Sequence, residues 1–224
     1  MNINSIYPEM TDSAKLIPLG VNAKIIIRHS IRESLKGVES PDEVPLTKEG
    51  RDLAISFGKG LVDPIGKVYS SNVERCIETA RCIIEGNISS SNIPVTLVDM
   101  RKFYASKIQE SYKTFVSENS GKNVVVKLSN GNSLSGFLTI KDIALNQLKF
   151  FFNTGGQLSH WDIYCTHDFQ IICLISAIFK NINNIDDVKD NWPNMLEGVL
   201  LWGSLNDFYC AWRNNIRHVE NQNL

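Results

Sequence analysis

Two short runs that each stop at a histidine constrain this chain more than any other feature. Lys24 to Ile27 ends at Arg28-His29-Ser30, and Trp161 to Thr166 ends at His167-Asp168. Each reads as a buried strand that stops where the residues turn polar and a loop begins. Between them the pattern alternates. Arg32 to Pro45, with Gly37, Pro41 and Pro45, reads as an exposed loop. Thr47 can then cap a helix with Leu53, Ala54, Phe57 and Leu61 at helical spacing, its end weakened by Gly58 and Gly60. Val68 to Ser70 is a second strand, and Ser71-Asn72-Val73-Glu74 reads as a capping box that opens a helix with Val73, Cys76, Ile77, Ala80 and Ile84 inward. Val95 to Val98 is a third strand.

The stretch from Asp99 is less regular, with a turn at Ser129-Asn130-Gly131-Asn132, and is expected to be an insertion or cap over 99–138. A helix is expected from Ile140 to Phe152, closed by Gly155-Gly156, and an apolar helix from Phe169 to Phe179. Val199 to Trp202 and Phe208 to Trp212 read as a closing hairpin. Parallel neighbours need crossover connections, so strands alternating with helices predict an α/β fold: a largely parallel central sheet, helices on both faces, a small insertion and a C-terminal hairpin. A length of 224 residues suits one domain over 1–224, preceded by an irregular arm over 1–23.

Composition narrows the function classes. Hydrophobic residues at 43% and charged residues at 21% describe a globular chain, not a disordered or fibrous one. A net charge of -1 supplies no broad basic surface for nucleic acid, so recognition of phosphate has to be local. Met1 to Val21 lacks the apolar run of a secretory signal, and no stretch reaches the roughly 20 apolar residues that cross a bilayer. Cys76, Cys82, Cys165, Cys173 and Cys210 lack metal-site or disulfide spacing and read as reduced core thiols. A cytoplasmic protein is expected, with neither nucleic acid nor membrane as partner.

Ligands of open α/β sheets gather outside the carboxyl ends of the strands, where His29 and His167 both lie. Arg28 and Arg32 flank the first histidine, and Arg75 sits in the first turn of a helix, where free amides and the dipole favour an anion. The guanidinium fork matches phosphate oxygens and keeps its charge, so these residues outline a phosphate pocket. Taken singly, His29 could bond a loop, Asp168 could cap its helix, and Arg75 could pair with Glu74 or Glu78. His160 and His218 read as structural or exposed, Trp192, Trp202 and Trp212 as core or hairpin packing, and Arg101, Lys102 and Tyr104 as a solvated face or a substrate contact.

In order, these motifs resemble the histidine phosphatase, or phosphoglycerate mutase-like, superfamily, above all its acid phosphatase branch with Arg-His-Gly-x-Arg-x-Pro and His-Asp motifs. Arg28-His29-Ser30-Ile31-Arg32-Glu33-Ser34 is similar to the first, Ser71 to Thr79 to the second arginine segment and His167-Asp168 to the last. Ser30 stands in place of the usual Gly and Ser34 in place of Pro. The resemblance implies that His29 attacks phosphorus and carries a phosphohistidine, that Arg28, Arg32, Arg75 and His167 clamp the phosphoryl group, and that Asp168 protonates the leaving oxygen. Asp99 is the reserve acid, since other branches place theirs nearer that region. No metal or other cofactor is implied. The expected activity is hydrolysis of a small phosphate monoester; the alternatives are a phosphoglycerate mutase-like phosphotransferase and a catalytically silent phospho-ligand binding module. A metal site of His29, His167 and Asp168 is opposed by the surrounding arginines. Substrate identity and oligomeric state are not legible in the sequence.

Overall fold

A computed structural model describes residues 10, 14–61, 63–90, 92–156 and 158–220. Most of the arm expected over 1–23 therefore lies outside the described residues. Strand β1 (Ala23–Arg28) is followed by α1 (Lys48–Gly60), β2 (Ile65–Ser71), α2 (Glu74–Gly86) and β3 (Val95–Val98). Next come α3 (Ile108–Ser117), α4 (Gly121–Ser129), α5 (Ile140–Asn153), β4 (Trp161–Thr166), α6 (Asp168–Phe179) and α7 (Ile185–Asp190). Three strands, β5 (Gly198–Ser204), β6 (Asp207–Trp212) and β7 (Asn215–Glu220), complete it.

All seven strands join one sheet in the order β3-β2-β4-β1-β5-β6-β7. The first four are mutually parallel, and β5, β6 and β7 are antiparallel to their neighbours. The α/β prediction with a largely parallel centre holds. Its consequence for function is register: β1 and β4 are hydrogen-bonded neighbours with Arg28 opposite Thr166, so His29 and His167 leave the same edge of the sheet side by side.

Successive strand residues point to opposite faces, which gives the sheet two cores. Ile26, Tyr164, Val199 and Leu201 pack with α4, α5 and α6, whereas Ile25, Ile27, Ile163 and Leu200 pack with α1 and α2. Thr47 caps α1 as expected, accepting the Gly50 N–H. Gly58, read from sequence as a weak end, is instead a packing device. A methyl group there would sit 2.1 Å from the Ile83 carbonyl oxygen of α2, and one at Gly86 would sit 2.1 Å from the Ile55 carbonyl oxygen of α1. The two helices touch backbone to backbone through reciprocal glycines.

Three further expectations are corrected. Ser71 opens no capping box: it belongs to β2, α2 starts after Val73 with no side-chain cap, and its buried stripe adds Thr79, Cys82 and Ile83, while Ile84 packs against the core partly buried. The stretch over 99–138 is largely helical, with a short 3₁₀ turn at Met100–Phe103 ahead of α3 and α4. The closing hairpin has a third strand, β7, along its outer edge.

Candidate active site

His29 is 3% exposed and stands where β1 gives way to loop. Its Nδ1 lies 2.8 Å from the Ser30 carbonyl, a pure acceptor, so Nδ1 carries the proton and Nε2 keeps its lone pair. Arg75 confirms that tautomer by donating its Nε–H to His29 Nε2 at 3.3 Å. Burial first, then the neighbouring His167, Arg28 and Arg75, hold the imidazole well below its ordinary pKa, against the opposing pull of the Ser30 carbonyl. The ring is neutral and its bare nitrogen faces a guanidinium.

The loop behind it is fastened on two sides, to α2 and to α1. The Ser30 amide donates to Thr79 Oγ1 at 2.9 Å, and Thr79 in turn donates to the Arg75 carbonyl at 2.6 Å, so the loop at His29 and the start of α2 are one hydrogen-bonded unit. The Ser30 hydroxyl donates to the Gly50 carbonyl at 2.7 Å; a methyl at Gly50 would meet the Ile31 carbonyl at 2.0 Å, so glycine at that position lets α1 close on the loop. Ser30 is thus accommodated where the resembled motif has Gly. Ser34 accepts the Lys36 N–H in a local turn, the bend that Pro would otherwise favour.

His167 packs edge-on against His29 with ring centroids 5.6 Å apart. Its Nε2 lies 3.1 Å from the Ser71 hydroxyl and 3.7 Å from Cys76 Sγ. Ser71, assigned to a helix cap by sequence, instead steadies this histidine. Arg75 reaches past His29 to donate Nη1–H to the Pro41 carbonyl at 2.9 Å, tying the 33–45 loop to the site. The surface pairing considered for Arg75 does not form, because Glu78 holds Arg51 and the Leu46 amide instead. Arg32 is half-buried; burial, then Arg75 and Arg28, lower its pKa, which marks how closely three cations crowd here.

Both candidate acids are ion-paired. Asp168 Oδ2 is 2.7 Å from Arg28 and accepts the Trp192 indole N–H at 3.3 Å. Asp168 does not cap α6; His167 holds the N-cap position. Asp99 Oδ1 is 2.8 Å from Arg101 Nε and caps the Met100–Phe103 turn. Burial pushes its carboxyl up, but the Arg101 hydrogen bond and charge outweigh this and hold it below the usual range. Arg28 also donates to the Pro193 carbonyl at 2.7 Å, while its Nε is buried without a partner, as is Thr166 Oγ1. The segment 192–197 is fastened in turn by Glu197, 3% exposed and 2.6 Å from Arg213.

A cleft of about 250 Å³ opens beside these groups, with Ser71, Arg75, His167 and Asp168 on one wall and Met100, Arg101, Tyr104 and Tyr112 from the 99–138 segment on the other. His29, Arg28 and Arg32 are not part of this lining: His29 is screened by Arg75, and Arg32 donates to the exposed Glu33 carbonyl at 2.9 Å. Arg101 and Tyr104 thus face the cleft, whereas Trp202 and Trp212 are core, as expected. His160 and His218 lie away from the site. Sequence reasoning missed Trp192, the Pro193 carbonyl and Gln170, none of which sits in a motif. Among the described residues no group of three or more His, Cys, Asp or Glu could hold a metal ion, and no helix is long and apolar enough to cross a membrane.

Paired histidines and neighbouring arginines thus stand at the carboxyl edge of this sheet, where ligands of open α/β sheets gather. Residues 25–99 match the histidine phosphatase superfamily (branch 1), which bears out the superfamily read from the motifs; this match does not single out the acid phosphatase branch. The fold is phosphoglycerate mutase-like. It is similar to mycobacterial glucosyl-3-phosphoglycerate phosphatase, with 13% identity, 89% of this chain and 98% of that one covered, and a TM-score of 0.57. Phosphoserine phosphatase from Entamoeba histolytica, solved with 3-phosphoglyceric acid, is 16% identical over 80% of this chain and 90% of that one, with a TM-score of 0.51. Phosphoglycerate mutase from Bacillus anthracis is 14% identical over 90% and 93%, with a TM-score of 0.50. No curated protein sequence matches the chain.

Proposed function

We propose that this protein is a phosphatase that hydrolyses a small phosphate monoester through a phosphohistidine on His29. The observation that carries the reading is the tautomer: Nδ1–H is committed to the Ser30 carbonyl, which leaves a lone pair on Nε2 of a neutral, buried ring among cations. A phosphoryl group entering the cleft offers Arg75 better acceptors than His29 Nε2 and the Pro41 carbonyl, and drawing that guanidinium onto phosphate uncovers the nucleophile.

In the first step Nε2 forms a bond to phosphorus as the bond to the leaving oxygen breaks, and Asp168, having taken a proton from solvent once the phosphate has drawn Arg28 away, delivers that proton to the leaving oxygen. In the second, water attacks the phosphohistidine, the N–P bond breaks, and the water's proton returns to Asp168. Arg28, Arg32, Arg75 and His167 neutralise the equatorial oxygens throughout, which is where most of the stabilisation in phosphoryl transfer is found. Competition by the phosphate for Arg28 frees Asp168 from its ion pair so that it can reach the leaving group.

The test compares wild type with His29→Ala on p-nitrophenyl phosphate in the presence of a chelator, followed by quenching to trap acid-labile phosphoenzyme. Turnover and a trapped intermediate are expected only in wild type, with chelator making no difference. Equal turnover by both proteins ends the assignment.

A further inference from the structure

The wall of the cleft beyond the phosphate end carries two polar side chains with nothing to bond. Gln170, in the first turn of α6, is 3% exposed, and its side-chain amide makes no hydrogen bond to any described residue; Oε1 is fully covered. Gln147 approaches but donates to the Gln170 backbone oxygen, at 3.2 Å. Tyr104 is 8% exposed, and its hydroxyl likewise bonds to no described residue. Both line the cleft. A buried amide is ordinarily paired, so the unpaired Gln170 beside the open Tyr104 hydroxyl in one cleft points to a ligand that supplies their partners.

The charge of this wall indicates what kind of ligand. Its one cation, Arg101, is held by Asp99 at 2.8 Å, lies 3.9 Å from Asp42 and donates to the Tyr112 hydroxyl at 3.3 Å. With two carboxylates around that guanidinium, the wall offers, among the described residues, no unpaired cation for a second anionic group on the substrate. The rest of the lining includes Met100, Tyr104, Tyr112 and Phe169 beside Asn72 and Val73, apolar surface suited to the C–H faces of a polyol or sugar. The volume of about 250 Å³ falls below the roughly 300–1,000 Å³ of sites for drug-sized ligands. Burial pushes the Tyr104 phenol pKa upward, so it stays a hydrogen-bond donor, while the Gln170 amide offers both a donor and an acceptor.

We infer that Gln170 and Tyr104 read hydroxyl groups on a small, uncharged leaving group, which makes the substrate a polyol or sugar monophosphate. This rests on the phosphatase reading above and adds its specificity. The test measures kcat/KM for glycerol 3-phosphate, 3-phosphoglycerate and p-nitrophenyl phosphate in wild type, Gln170→Leu and Tyr104→Phe. Wild type should favour the glycerol ester over phosphoglycerate, and each variant should lower the ratio of glycerol ester to nitrophenyl ester by roughly tenfold or more, the effect of stranding a hydroxyl. Equal losses on both esters, or a wild-type preference for phosphoglycerate, would overturn the subsite and leave the His29 chemistry standing. If wild type turned over none of the three and trapped no phosphoenzyme, the phosphatase reading would fail and this inference with it.

Discussion

Nε2 of His29 stays unprotonated because burial and the surrounding cations make the charged ring costly, and this has a measurable sign. The folded-state pKa lies well below that of the unfolded chain, near 6.5, so below that pH the unfolded state binds the proton that the native state refuses. The penalty is absent above about pH 6.5 and grows as pH falls toward the folded value. Chemical denaturation at a series of pH values should therefore show stability falling on acidification less steeply in His29→Gln than in wild type; identical slopes would contradict the depressed pKa. Turnover should likewise keep its nucleophile ionisation below pH 6.5. At this scale the motif residues were legible because buried strands end abruptly and arginine beside histidine is chemically conspicuous. Ser71, Trp192 and Gln170 were not, because a serine before a helix also reads as a cap, and nothing local tells a tryptophan or glutamine which cavity it will face.

Elements were legible where burial is uniform. β1 and β4 are covered on both faces and so appear as compact runs, and β4 was read to the residue. The 99–138 segment was harder. Val124, Val125 and Val126 are β-branched and favour extended chain, yet Val124 and Val125 are fully buried within a helix, so packing overrides propensity. β7 escaped notice because only Val219 of its six residues is buried, as suits an edge strand. The helix pair α1–α2 yields the element-scale prediction. Gly58→Ala would place a methyl 2.1 Å from a backbone oxygen that cannot yield without moving α2. A loss of roughly 1–3 kcal/mol is expected in urea denaturation, although alanine normally strengthens a helix interior. A stabilised variant would show that the two backbones do not touch as described.

For the whole molecule, cations gathered at one sheet edge without a bound anion repel one another, so an anion that binds there should stabilise the native state. At a hundred times its dissociation constant, orthovanadate should add about 2.7 kcal/mol, seen as a rise of roughly 5–10 °C in the melting temperature. The rise should shrink markedly in Arg75→Ala; an equal rise in both proteins would place the bound anion elsewhere. The parallel centre of the sheet was predictable from alternation alone, but its strand order was not, since nothing in β1 specifies β4 as a neighbour across so much intervening chain. That adjacency has a further consequence. The His29 and His167 rings follow directly on the first and the fourth strand, so no amino-terminal fragment ending before β4 contains both halves of the pocket. On the proposed chemistry, a chain emerging from the ribosome would stay inert until most of it has been made, and the appearance of turnover during synthesis would time the closing of the sheet.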